Sequence, residues 1–322
     1  MTNLDTLYLN ADDHNIYRSA QILADGGIVA FPTETVYGLG ADACNDHAVA
    51  KVFAAKGRPN FNPLIIHLAD LTDVTKYARL NDQAKVLAAA FWPGPLSMVL
   101  PLADVSPLSE LVTAGLNTVA IRIPEHPIGH ALITAFGGAI AAPSANPSGR
   151  ISPTSPQHVM DGLAGKIDVV LDGGNCQVGL ESTIITITHD DQIVLLRAGG
   201  ISVESIEAVI GRPVLRDEQP DVPQSPGQLL SHYAPSAHLQ MNINQRLPNH
   251  AHLGFGDMEC DLNLSVQGDV VEAGANLFSM LRKIDSFAER HALVGITVAP
   301  IPEQGLGLAI NDRLKRAAAP RD

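Results

Sequence analysis

GIVAFPTETVYGLGADA (27–43) opens on an apolar strand, GIVAF (27–31), and runs directly into a turn rich in hydroxyl groups. Pro32 holds Phe31 in extended geometry, and Gly38 and Gly40 allow a tight turn or the close approach of a ligand. Upstream, Asn15 is placed to cap a helix whose apolar face is Ile16, Ala20 and Leu23, with Gly26 where a terminating glycine belongs. Downstream, a second helix begins near Asp46 and carries Val49, Val52 and Phe53 on one face. Helix, strand, loop, helix is the grammar of an α/β fold.

The pattern continues. LIIHL (64–68), LSMVL (96–100), TVAIRI (118–123), GAIAA (138–142), DVVLD (168–172), STIITI (182–187) and QIVLLR (192–197) all have strand composition. Several are apolar on both faces, which fits strands covered on each side by other layers. The later ones follow one another without long helices between them, so the expected sheet is large, twisted and mixed. Residues 213–238 are rich in Pro and Ser and show neither periodicity, the mark of an interdomain linker. Beyond it, HLGF (252–255) and LVGITVAP (293–300) read as strands, residues 271–290 as a helix, and about Gly307 to Ala318 as a terminal helix. The expected division is therefore a large α/β domain over 1–212, a linker over 213–238 and a small Rossmann-like α/β domain over 239–322.

Composition narrows the function. The 322 residues are 46% hydrophobic and 17% charged, enough to give each part a core and to exclude wholesale disorder. A net charge of −13 argues against binding nucleic acid by bulk charge. Three scattered cysteines, Cys44, Cys176 and Cys260, argue against a disulfide framework and a cysteine zinc site, and fit a reducing compartment. The polar, acidic start is unlike a targeting peptide, and no apolar run approaches the ~20 residues that span a bilayer. A cytoplasmic location is expected.

The chemistry-bearing residues cluster at strand ends. Thr33, Thr35 and Tyr37 follow the first strand; as a segment this reads equally well as a polar turn or as part of a site. In KGRPNFNPLIIHL (56–68), Lys56 and Arg58 complement a helix dipole, but beside Asn60 and Asn62 they also suit phosphate. His67 alone reads as a core histidine. APSANPSGRISPTSP (142–156) is a rigid loop of prolines, hydroxyls and an amide leaving an apolar strand, where an anion site would sit. Glu181, Ser182 and Thr183 lie at the mouth of another strand. Arg122 and Arg197 sit within or end apolar strands, and a buried Arg needs an anion, either a protein carboxylate or a ligand. There is no P-loop and no G-x-G-x-x-G after the first strand, His126 and His130 lack the Glu of a zinc-protease helix, and Ser144 lacks a nucleophile elbow.

Taken in order, FPTETVYGLG, KGRPNFNPLIIH, WPGPLSMVL, TVAIRIPEHP, IAAPSANPSG, GLESTII, SPGQLLSHYAP (225–235) and EQGLGLAINDRLKRAA (303–318) resemble the YrdC-like family, specifically its two-domain form, the L-threonylcarbamoyladenylate synthases. The likeness spans nearly the whole chain. It implies that L-threonine, bicarbonate or CO2, and ATP give threonylcarbamoyl-AMP and pyrophosphate, for a partner transferase that modifies the tRNA adenosine next to the anticodon. It implies ATP contacts at Arg58, Asn62, Thr118, Ser144, Ser152, Arg197 and Tyr233, and threonine contacts at Thr35, His67, Arg122, the Ala142 backbone and Ser182. Lys56, Arg58, Ser144 and Asn146 match the polar tetrad of the catalytic site, and Tyr233 a lid; Mg2+ arrives with the triphosphate and no resident metal is implied. Such chemistry asks for positioning and charge stabilisation more than for an acid–base pair. The rival reading is an RNA-binding module, which the net charge and only 4% aromatic residues disfavour, so tight tRNA binding by the chain itself is not expected.

Overall fold

The computed structural model describes residues 4–58, 62–216 and 233–320. Most of the 213–238 stretch, the SPGQLLSH part of its motif and Asn60 therefore lie outside the described residues. The strands are β1 (Leu7–Asn10), β2 (Val29–Phe31), β3 (Gly38–Asp42), β4 (Ile65–His67), β5 (Leu96–Pro101), β6 (Thr118–Arg122), β7 (Ile140–Ala141), β8 (Val169–Asp172), β9 (Thr183–Ile187), β10 (Ile193–Arg197) and β11 (Leu215–Arg216). They form one sheet in the order β1-β8-β2-β3-β7-β4-β6-β5-β9-β10-β11, with parallel and antiparallel neighbours mixed as expected. Around it lie α1 (Asp13–Ala24), α2 (Asp46–Lys56), α3 (Asp82–Phe91), α4 (Glu110–Thr113), α5 (Pro127–Phe136), α6 (Pro156–Leu163) and α7 (Val203–Ile210).

Three local readings need correction. The cap of α1 is Asp12, whose carboxylate accepts from the Asn15 N–H at 2.8 Å, so the helix starts before Asn15. Gly38 and Gly40 do not turn the chain; they lie within β3, and neither has a positive φ. A Cβ on Gly40 would fall 2.7 Å from the Ile140 side chain and 2.9 Å from the Phe31 ring, so the glycine leaves room for side chains reaching over from the flanking strands β7 and β2. Residues 215–216, inside the expected linker, form β11 and pair with β10.

The two faces of the central strands differ. Ile66, Met98, Ile121, Ile185, Ile193 and Leu195 join the largest core, beneath α3 and α7. The opposite face carries Ile65, Val99, Ala120, Ile184 and Leu196, and on that face the alternation also places His67 and Arg122, cross-strand neighbours in the β4–β6 register.

A smaller parallel sheet, β12 (His238–Gln240), β13 (His250–Gly254), β14 (Leu262–Asn263) and β15 (Gly295–Val298), runs in the order β12-β15-β13-β14. Its helices are α8 (Val270–Arg290) and α9 (Gly307–Ala318), close to the expected spans. Their shared core takes in Val36, Ile151, Leu180 and Tyr233, so the small unit packs against the segments that frame the cleft described next.

Candidate functional site

A cleft opens above the polar end of the β4–β6 face, lined by residues from eight separate segments. Of the residues singled out in the sequence, it brings together Thr35, Arg58, His67, Arg122, Ala142, Ser144, Ser182, Arg197 and Tyr233. Thr33, Val36, Gly38, Ile65, Pro143 and Glu181 complete its wall.

Arg122 ends β6 and is almost wholly buried. Its Nε donates to Gly94 O at 3.2 Å and its Nη1 to Thr35 Oγ1 at 2.8 Å. Its Nη2 meets Glu34 Oε1 at 2.6 Å, an ion pair off the hydrogen-bond direction, so neither atom has an aligned partner among the described residues. The sequence left open whether a carboxylate or a ligand faces this arginine; the protein supplies a carboxylate. Beside it, burial first and the Arg122 charge second push the His67 imidazole down to about 3, so the ring is neutral. Its Nδ1 is buried without a hydrogen-bond partner among the described residues.

The other pole is also basic. Asn45 caps α2 at its start, and Gly57 in the left-handed region (φ +62°) ends it. Arg58 emerges from this turn and braces the following loop, with Nε 3.3 Å from Asn62 O and Nη2 3.0 Å from Pro63 O. Arg197 reaches the cleft through a register shift between Leu195 and Arg197; unbroken alternation would send it into the core with Leu195. Its Nη2 donates to Ser182 O at 2.9 Å and to Ser182 Oγ at 3.1 Å, while Ser182 Oγ pairs with Ser97 Oγ at 2.7 Å. Burial first and the Arg197 charge second lower Arg58 to about 10, and burial lowers Arg197 to about 10, with Arg313 and Arg122 adding to the effect.

Five sequence candidates do not line the cleft. Lys56 lies beneath it: its buried Nζ donates to Ser144 O and Asn146 O, both at 2.5 Å, fixing the loop that presents Ser144. Asn146 Nδ2 in turn donates to Pro147 O and Arg150 O. Ser152 donates to Glu181 Oε1 at 2.6 Å and so supports the wall from behind. Asn62 is buried beside Arg58 with an unpartnered Oδ1 among the described residues. Thr118 starts β6 while Arg122 ends it, which puts it at the far end of the strand.

Sequence reasoning missed two residues. Glu34 pairs with Arg122 across 88 positions, visible in sequence only as a carboxylate within the FPTET turn. Arg313 of α9 is completely buried and donates from Nε to Glu181 Oε2 at 3.0 Å and from Nη1 to Ala198 O at 2.6 Å. Tyr233, in the left-handed region (φ +61°), lies between the two units, stacked on Phe278 of α8 at 5.3 Å with the Arg313 guanidinium 5.7 Å from its ring. Among the described residues no group of three acidic, His or Cys side chains could hold a metal, and no helix is long and apolar enough to cross a membrane.

Comparison with known proteins places these features. A family model described as "Telomere recombination" (Sua5_yciO_yrdC) matches residues 21–199, and one described as "Threonylcarbamoyl-AMP synthase, C-terminal domain" matches 201–319. The chain is 39% identical to the threonylcarbamoyl-AMP synthase of Pyrococcus abyssi, over 100% of this chain and 99% of that protein. It is 42% identical to the Bacillus subtilis synthase, over 97% of this chain and 95% of that one. The crystal structure of P. abyssi Sua5 complexed with L-threonine superposes with a TM-score of 0.88 at 38% identity, covering 97% of this chain and 98% of that one. The chain thus has full-length counterparts, and it belongs to the Sua5/YciO/YrdC family in its two-domain, threonylcarbamoyl-AMP synthase form.

Proposed function

We propose that the chain makes threonylcarbamoyl-AMP in this cleft and that the two basic poles divide the substrates between them. The observation that carries the division is one of charge: Arg58, Arg122 and Arg197 line the cleft, while its lining holds one carboxylate, Glu181, with Glu34 behind Arg122. A buried surplus of guanidinium groups suits a carboxylate and a triphosphate bound side by side.

In this reading L-threonine lies against Thr35, His67, Arg122, Ala142 and Ser182. Its carboxylate shares the Arg122 fork with Glu34, and neutral His67 offers a hydrogen bond without adding charge. The nucleotide lies against Arg58, Ser144, Arg197 and Tyr233, with Asn62 beside Arg58, Lys56 and Asn146 holding the Ser144 loop and Ser152 bracing Glu181, while Thr118 at the far end of β6 is left out of contact. The threonine amine captures CO2, the carbamate oxygen attacks the α-phosphorus, and pyrophosphate leaves, a nucleotidyl transfer. The side chains orient the two anions and offset charge at the α-phosphorus. Mg2+ enters with ATP as part of the substrate, since Glu34 is taken by Arg122 and Glu181 by Arg313 and Ser152.

The division into a catalytic unit over 1–212, a connecting segment over 213–238 and a small unit over 239–322 belongs to the same reading; the expected folding of the segment over the site falls largely outside the described residues, and what supports it is Tyr233, buried at the cleft wall. So does a cytoplasmic setting, in which the product passes to a tRNA threonylcarbamoyl transferase. The RNA-binding reading is not favoured, because full-length relatives are synthases and the chain carries a net charge of −13. The test is pyrophosphate release: it is expected only with ATP, threonine and bicarbonate together, and equal release without threonine refutes the assignment.

A further inference from the structure

Among the described residues Glu181 is the one carboxylate lining the cleft proposed to receive a triphosphate, and the small unit answers it. Its Oε1 accepts from Ser152 at 2.6 Å and its Oε2 from Arg313 Nε at 3.0 Å. Arg313 comes from α9, far along the chain, and is completely buried. It is fixed by Ala198 O at 2.6 Å and flanked by Asp312 at 3.1 Å, which also holds Arg316. Its Nη2 is buried without a hydrogen-bond partner among the described residues, and its guanidinium faces the Tyr233 ring that closes the cleft wall.

We propose that Arg313 is a positioning residue for nucleotide binding: from the C-terminal unit it occupies and neutralises Glu181, so that the cleft keeps the positive potential a triphosphate requires. Removal of the guanidinium leaves a buried carboxylate in the same cleft wall as Arg197, where it competes with the nucleotide phosphates. The small unit thereby contributes charge to the catalytic cleft without touching substrate. This rests on the proposed placement of ATP at the Arg58–Arg197 pole.

The test is calorimetric binding of ATP and of L-threonine, separately, to the full chain. Arg313→Met is expected to weaken ATP binding by about tenfold or more while changing threonine binding by less than about twofold. Adding Glu181→Gln removes the opposing charge and is expected to return ATP binding to within about threefold of the wild type. A purely structural role gives parallel losses for both ligands and no recovery, and either result overturns the inference. Should Arg313→Met fail to fold, the double variant decides: near-normal ATP binding upholds the inference and a tenfold loss refutes it. Wild-type chain that binds ATP but releases no pyrophosphate refutes the synthase reaction and leaves the Arg313 comparison readable; wild-type chain that does not bind ATP refutes the inference.

Discussion

Lys56 shows how a residue can be recognised in sequence and still be misplaced. Its position at a helix end suggests an accessible cation, and with Arg58 a phosphate grip. Folded, it is buried, its pKa driven well below the usual lysine value by burial and by Arg58, and its Nζ donates to two carbonyls of the 144–146 loop. Lys56→Ala is therefore expected to cost about 2 kcal/mol or more of stability by denaturant titration, because two buried acceptors lose their donor; a variant as stable as the wild type contradicts this placement. His67 yields a second expectation. With its pKa pushed down to about 3, it stays uncharged across the working range, so threonine affinity should show no inflection from this group between about pH 5 and 8. An inflection near the ordinary histidine value that vanishes in His67→Gln would contradict a neutral ring. Legibility at this scale followed chemistry rather than distance. Arg122 and Arg197 stood out because a guanidinium in an apolar strand demands an anion, whereas Arg313 sits among charged neighbours on an amphipathic helix, where an arginine ordinarily faces water.

Among the elements, the strands from β4 to β10 were readable because their apolar runs are mostly buried and bounded by turn residues. β3 was not: two glycines in GLGAD lower its strand signal, and only the neighbouring Ile140 and Phe31 explain why nothing larger fits there. The register shift before Arg197 was equally invisible, since alternation in QIVLLR looks regular until pairing with β9 is known. A third glycine governs how the small unit docks. Gly179 has φ +71°, and a Cβ there would lie 2.4 Å from Ala275 O in α8. Gly179→Ala should thus push α8 off the large unit and cost roughly 1–3 kcal/mol from overpacking, with a further penalty for the backbone. A lowered Tm checks it; an unchanged melt contradicts the close contact.

At the scale of the whole molecule, the two units are joined by the Glu181–Arg313 pair and by apolar packing around Tyr233, Leu180 and Ile151. Burial alone would raise the Glu181 pKa, but Arg313, Arg197 and the Ser152 hydrogen bond outweigh it and hold the group at about 2. Because the folded value lies below the ordinary 4.5, the stability it confers is complete above 4.5 and is lost as pH falls toward about 2. The stability gap between wild type and Glu181→Gln is expected to narrow over that window; a gap independent of pH would mean the carboxylate is not paired. The family resemblance announced two units in the sequence, yet the ion pair that joins them spans 132 positions and could be read only once both were folded.

The same sheet places β1 against β8, so that Leu7 pairs with Val169 and the Thr6 hydroxyl donates to Ile167 O. During synthesis the ribosome must deliver more than half of the chain before the first strand meets its neighbour. Loop-closure entropy makes such distant pairing slow, and a nascent chain halted before residue 169 would leave that amino-terminal ribbon without its companion, a ready target for chaperones.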